Sequence, residues 1–374
     1  MSEEEVLKKM RQLLYKIRRT KNKKLKRLYL FDFVTLVQFL EISYNREITP
    51  DELLCDDIAC DVEELMECNT IESLNDFIGG NATTQRLANS CILTFENLGF
   101  DAYYNQSFPV YKTSFLTESL TEFLDTVGNK SLENYNKVLE QGIIIGEIGS
   151  SISGACFNLY CDNKQLVNMS SLHYKYGKSV SEIGFFASLA HEIGHVVHLN
   201  LINKSVKNKE YTNVFTESIS MMYEKMYLDF LKKNNVDITP DLRNEYYSLL
   251  YNSIIARAGS LAIDDGILCT DYSIPGMYFT EDYFGSYDYL LSQFTYEMYD
   301  DLLPYFYGEL IATKYMDDFG SDYKSCTKEL LEVLMQNESK DSFKLLDEIG
   351  FYNVPKGVAN GIRNVNNAKK KVKL

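Results

Sequence analysis

Residues 185–198 read Phe185-Phe186-Ala187-Ser188-Leu189-Ala190-His191-Glu192-Ile193-Gly194-His195-Val196-Val197-His198. Apolar residues crowd both sides of the polar positions and no proline interrupts them, which predicts a buried helix over about 181–201. His191 and His195 stand four residues apart, so both imidazoles fall on one helix face within reach of one zinc ion. Glu192 lies between them, close enough to act on a water at that metal. The chain holds only four histidines in 374 residues. A chance H-E-x-x-H anywhere in it is therefore expected at roughly a few in a thousand.

A catalytic zinc takes three protein ligands and keeps a fourth position open. His198 follows His195 by three residues and points off the shared face, and His173 lies upstream, so a carboxylate is expected to complete the set. Glu217 opens the stretch Glu217-Ser218-Ile219-Ser220-Met221-Met222-Tyr223-Glu224, 22 residues past His195. That separation lets the first helix end, a Lys- and Asn-rich loop turn, and a second helix over about 213–233 run back. Glu210 competes from within the loop. Glu224, two turns beyond Glu217, is a candidate either for bonding a ligand histidine from behind or for a surface salt bridge.

Outward from this helix the chain reads as mainly α. Before it, Ile143–Ile145, Ala155–Tyr160 and Gln165–Met169 are short strand-like runs separated by Gly, Ser, Asp and Asn, which predicts a small sheet. Upstream, Leu7, Met10, Leu13, Leu14 and Ile17 recur at helical spacing, and Leu28–Ile42 forms a second apolar segment. A helix start is expected at Thr49-Pro50, with further helices at Ser73–Ile78, Thr84–Leu98, Phe115–Val127 and Leu132–Gln141. Downstream helices are expected at 241–263, 286–302 and within 305–349. The texture divides the chain into an N-terminal helical region (1–141), a region carrying the chemistry (142–355) and a basic tail (356–374).

The net charge of −15 is unevenly spread. Residues 1–27 carry 11 Lys/Arg against 3 Glu, residues 356–374 carry 6 against none, and the remainder stands at −29. So acidic a body repels a phosphate backbone, and no zinc-finger, RRM-like or Gly-rich phosphate motif accompanies the basic arm, so nucleic acid is not the expected partner. The basic face of the first helix is instead expected to lie against the protein's own acidic surface. No apolar run reaches the roughly 20 residues of a membrane span, and no cleavable leader is evident. The eight cysteines form no C-x-x-C pair and read as reduced core thiols. A cytoplasmic protein is expected.

The run His191-Glu192-Ile193-Gly194-His195-Val196-Val197-His198, followed by Phe215-Thr216-Glu217-Ser218-Ile219-Ser220 and Glu224, resembles the thimet oligopeptidase and oligoendopeptidase F family of zinc metallopeptidases. Ser153-Gly154-Ala155-Cys156 with Leu166-Val167-Asn168-Met169 is similar to the family's strands before the zinc helix. Pro275-Gly276-Met277-Tyr278 and Tyr283-Phe284-Gly285-Ser286-Tyr287-Asp288-Tyr289 are similar to its Tyr-rich segment. The resemblance covers about 140–350 and implies a zincin-type (gluzincin) catalytic domain. One Zn2+ per chain would be held by His191, His195 and Glu217, with Glu192 as general base.

Within the Tyr-rich segment, Tyr287 and then Tyr283 are the candidates for donating to a developing oxyanion. The family's histidine there is replaced by Gly276 or, in another alignment, Asp282, and the chain is shorter than typical members. The expected activity is that of a zinc endopeptidase cleaving short unstructured peptides. The alternatives are a processing protease dedicated to one peptide partner and a zinc-stabilised, non-catalytic peptide-binding homologue.

Overall fold

A computed structural model of the protein describes residues 1–44, 46, 81–100, 109–146, 154–170, 182–205, 217–264, 296–337 and 356–372. In chain order the elements are α1 (Glu3–Arg19), α2 (Lys23–Tyr44), α3 (81–97), α4 (Thr113–Val127), α5 (Ser131–Gln141), β1 (Ile144–Gly146), β2 (Gly154–Leu159), β3 (Lys164–Ser170), α6 (Glu182–Ser205), α7 (Ser218–Lys233), α8 (Thr239–Asp264), α9 (Tyr296–Phe319), α10 (Tyr323–Asn337) and α11 (Lys356–Val372). The fold is mainly helical with one small sheet, as the apolar spacing predicts. The expected helix start at Thr49 and the helix at Ser73–Ile78 lie outside the described residues, as do 286–295 and 338–349. Among the described residues no helix is long and apolar enough to cross a membrane.

Contacts divide the chain into two units, each discontinuous in sequence: Met1–Thr70 with Val110–Asn208, and Ile71–Pro109 with Lys209–Leu374. The divisions read at 142 and 356 follow changes of texture along the chain, whereas these units follow packing. In the first unit, Ser2 and Glu5 cap α1 reciprocally, side chain to amide in both directions, which satisfies two donors the helix start would otherwise leave open. Val6, Met10, Leu13, Leu14 and Ile17 form the buried stripe of α1 and share one core with Phe33, Leu36, Phe39 and Leu40 of α2 and with Phe157, Leu159 and Leu166 of the sheet. Lys9 pairs with Asp162, as the expected docking of the basic face requires. Lys8, Arg11, Lys21, Lys23 and Arg27 instead stand exposed.

The sheet order is β1-β3-β2, with β1 parallel and β2 antiparallel to β3, and Gly154 opposite Met169. Asp32 of α2, fully buried, accepts from the amides of Tyr160 (2.7 Å) and Cys161 (3.1 Å). It thereby ties the β2–β3 turn to the helical hairpin. Helix α6 lies on β2 and β3 and is backed by α4 and α5.

The second unit is built around α9, which packs on α7, α8, α10 and α11. The sequence predicts a break at about 302–305, but α9 runs unbroken through Pro304. Burial of Tyr299, Leu303, Phe306, Tyr307 and Leu310 outweighs the one backbone bond that proline removes. The basic tail read at 356–374 is helical over most of its length. Val358, Ile362 and Val365 make a buried stripe, and Gly357 and Gly361 allow close approach, since a Cβ on Gly361 would fall 1.6 Å from the Tyr246 hydroxyl oxygen.

Inside this unit the Lys225 ammonium meets two carboxylates, Glu309 at 2.5 Å and Glu245 at 3.4 Å. Burial, reinforced by the negative charges of Glu224 and Glu309, pushes the Glu245 carboxyl up to about 8 from an ordinary 4.5, although Lys225 pulls the other way. Tyr246 faces the same ammonium. Between those two pH values the folded state holds a proton that the unfolded chain releases, so stability should fall as pH rises from about 4.5 to 8 and level off above. Urea denaturation across that range should show this slope. In Glu245→Gln, which carries no proton to lose, the slope should be shallower.

Candidate functional site

Helix α6 presents its polar residues from an apolar body. Ile183, Ala187, Ala190, Ile193, Val196 and Val197 are buried around them, so the helix is held from several sides and the polar groups are fixed with it. His191 and Glu192 are 7% and 4% exposed, while His195 is half-buried. The two imidazoles lie 4.9 Å apart between ring centres at a steep angle of 72°, as the four-residue spacing requires. His198 is buried as well.

Glu192 turns toward the start of β2. A Cβ on Gly154 would stand 2.7 Å from Glu192 Oε1 and 2.9 Å from its Cγ, so only glycine leaves room there for the carboxylate. Because β2 is an edge strand fixed by β3 and by Asp32, the place given to Glu192 is set by the sheet.

Glu217 occupies the residue before α7 and is 9% exposed. Its carbonyl accepts from the Met221 amide at 2.9 Å, opening the helix. The Ser220 hydroxyl lies 2.8 Å from that carbonyl and 3.2 Å from Glu217 Oε2, so the side chain is oriented within its own turn. Behind it, a Cβ on Gly308 of α9 would come within 2.9 Å of the Glu217 carbonyl carbon and Cβ.

The atoms that His191, His195 and Glu217 offer as ligands all lie within 4.8 Å of one another, and theirs is the group of this kind found among the described residues. Two imidazoles and a carboxylate are a zinc-type donor set. The residues fit a zinc ion.

Glu224 is half-buried and is not part of the group. Glu210, His173, Tyr283 and Tyr287 lie outside the described residues, as do Gly276 and Asp282. The two glycines that receive the carboxylates, Gly154 and Gly308, carry no positional signal of their own. Gly154 stands in the strand segment quoted for the family resemblance, but its proximity to Glu192 is visible only in three dimensions.

The two glycines should respond differently to a methyl group. In Gly308→Ala the added carbon meets backbone, which cannot yield, so Glu217 should shift and divalent-metal affinity should fall on the order of tenfold or more by calorimetric titration. In Gly154→Ala it meets only the Glu192 side chain, and metal affinity should be unchanged. In comparisons with known proteins the chain matches no family model, no characterised protein and no solved structure.

Proposed function

We propose that the chain is a zinc-dependent endopeptidase that hydrolyses short, unstructured peptides. The observation that carries this reading is the convergence of His191, His195 and Glu217 within 4.8 Å, with Glu192 buried on the same helix as the two histidines. The small sheet against the H-E-x-x-H helix is in keeping with the zincin (gluzincin) arrangement that the resemblance implies. A cytoplasmic setting goes with the same reading.

In this role His191, His195 and Glu217 would hold one Zn2+. Bound there, zinc supplies Lewis acidity toward a scissile carbonyl and lowers the pKa of water to about 7. Glu192 accepts the proton of the attacking water and returns it to the leaving amine. Ser220 holds the Glu217 carboxylate through a hydrogen bond within its own turn, and Gly154 leaves Glu192 space beside the strand. A tyrosine, Tyr287 or else Tyr283, donates to the oxyanion.

Metal analysis together with cleavage of quenched fluorescent peptides tests the proposal. Wild type should carry one zinc and cleave, whereas His195→Ala should lose both properties. Glu192→Gln keeps shape but cannot take a proton, so it should retain zinc while turnover falls about 10²- to 10⁴-fold. Gly154→Ala should also retain zinc and lose turnover, through displacement of Glu192. Equal cleavage by Glu192→Gln and wild type would exclude this chemistry. Zinc binding without cleavage in wild type would favour the non-catalytic peptide-binding alternative.

A further inference from the structure

We infer that Lys225, through its buried ion pair with Glu309, is a positioning residue for Glu217; the inference rests on Glu217 being a metal ligand, as proposed above. Lys225 lies eight residues beyond Glu217 along α7, about 12 Å up the helix axis. Its ammonium is 2.5 Å from Glu309 Oε1 and 3.4 Å from Glu245 Oε2, and the three side chains are only 9%, 2% and 10% exposed. The Tyr246 ring stands 5.6 Å from the ammonium and closes another side of the cluster.

Glu309 directly follows Gly308, the residue whose bare Cα is pressed against the backbone of Glu217. The dipeptide Gly308-Glu309 of α9 therefore grips α7 at two levels. At Glu217 a backbone contact fixes how close the helices come, and two turns further along an ion pair fixes how far one can slide along the other. Apolar contacts alone tolerate such sliding, because neighbouring registers exchange one apolar surface for another. A buried ion pair does not, since pulling it apart leaves both charges desolvated and unmatched.

Stability alone gives little reason to keep this cluster, because well-packed apolar residues of similar volume are often equally stabilising. Setting register is the better-attested use of a buried polar group. Here the register in question is that of the helix that begins at Glu217. A slide of α7 moves the Glu217 carboxylate with it, while the Ser220 bonds, which lie within the same turn, move along and correct nothing.

Co2+ titrated into the full-length apoprotein reads both affinity and, through its visible ligand-field spectrum, the geometry of the donor set. Wild type should bind one Co2+ with a spectrum that His195→Ala abolishes. No such binding in wild type would overturn the metal reading and this inference with it, and is told apart from the other outcomes because it appears without any change at the cluster. The variant Lys225→Met/Glu309→Gln removes both charges of the pair, and Glu245, whose carboxyl is already raised to about 8 and loses the ammonium that lowers it, is left protonated and uncharged. The double variant should fold and bind Co2+ on the order of tenfold more weakly, with an altered spectrum.

Glu245→Gln keeps the Lys225–Glu309 pair and should retain both affinity and spectrum. Phe95→Leu, a core change in α3 of the same unit, should lower the melting temperature without altering either. Wild-type affinity and spectrum in the double variant would overturn the inference. An equal loss of affinity in Phe95→Leu would also overturn it, because general loosening of the unit would then govern Glu217. Failure of the double variant to fold would make the pair a folding element and overturn the positioning role.

Discussion

Burial of the Glu192 carboxylate within an apolar helix is the constraint around which the first unit is organised. Withdrawing an ionised carboxylate from water costs on the order of several kcal/mol, and helix α6 is itself buried around that position, with Ala190, Ile193 and Val196 all out of solvent. Room for it comes from Gly154, and Gly154 is useful only if β2 is held in place. That placement comes from two sources. Asp32 anchors the turn at Tyr160 and Cys161, and Phe157, Leu159 and Leu166 lock the strands into the core of α1 and α2. The N-terminal hairpin, far from Glu192 in sequence, thus acts on it through the sheet.

The second unit handles its polar groups differently. Beside Phe95 and Phe306, its largest buried side chains include Tyr299 and Tyr307, whose phenolic oxygens are satisfied deep in the core: Tyr307 with Thr84 at 2.7 Å and Tyr299 with Ser260 at 3.1 Å. Burial drives the Tyr307 hydroxyl well above the usual phenol range, as expected of an anchor that never ionises. Gly259 gives the Tyr299 ring its place, since a Cβ there would overlap the ring at 2.2 Å. Tyr299 and Tyr307 are structural in this sense, filling core volume while closing one hydrogen bond at the tip.

What was legible in the sequence is what depends on near neighbours. The spacing of His191 and His195 is a property of one helix, and the three strands are marked by turn residues beside them, so both emerge from a linear reading. Gly154 and Gly308 were not legible, because the need for glycine comes from Glu192 and Glu217, 38 and 91 residues away in sequence. Lys225 reads as an ordinary helix lysine, a residue type almost never buried unless paired, and its partners Glu245 and Glu309 lie on other helices. At Pro304 and in α11 local signals misled. A proline and a run of lysines spoke for a break and a tail, and tertiary burial of neighbouring apolar residues prevailed.

Glu192 and Glu217 show how two carboxylates in one chain come to be placed by different means. Glu217 is oriented within its own turn by Ser220, so its direction is built into α7 and its position depends on where α7 sits. Glu192 is carried by a helix packed on several sides, so its position is secure and the space for its carboxylate depends on a separate strand. A methyl group at the strand therefore disturbs Glu192 without moving its helix, whereas a slide of α7 carries Glu217 away with its local bonds intact. A metal ligand has to stand at a fixed distance from its fellow ligands, and in the role proposed for Glu217 that demand would fall on the packing of α7 against α9. In the proposed role a proton acceptor needs room to meet water and leaving group, and that demand would fall on the missing side chain at the start of β2.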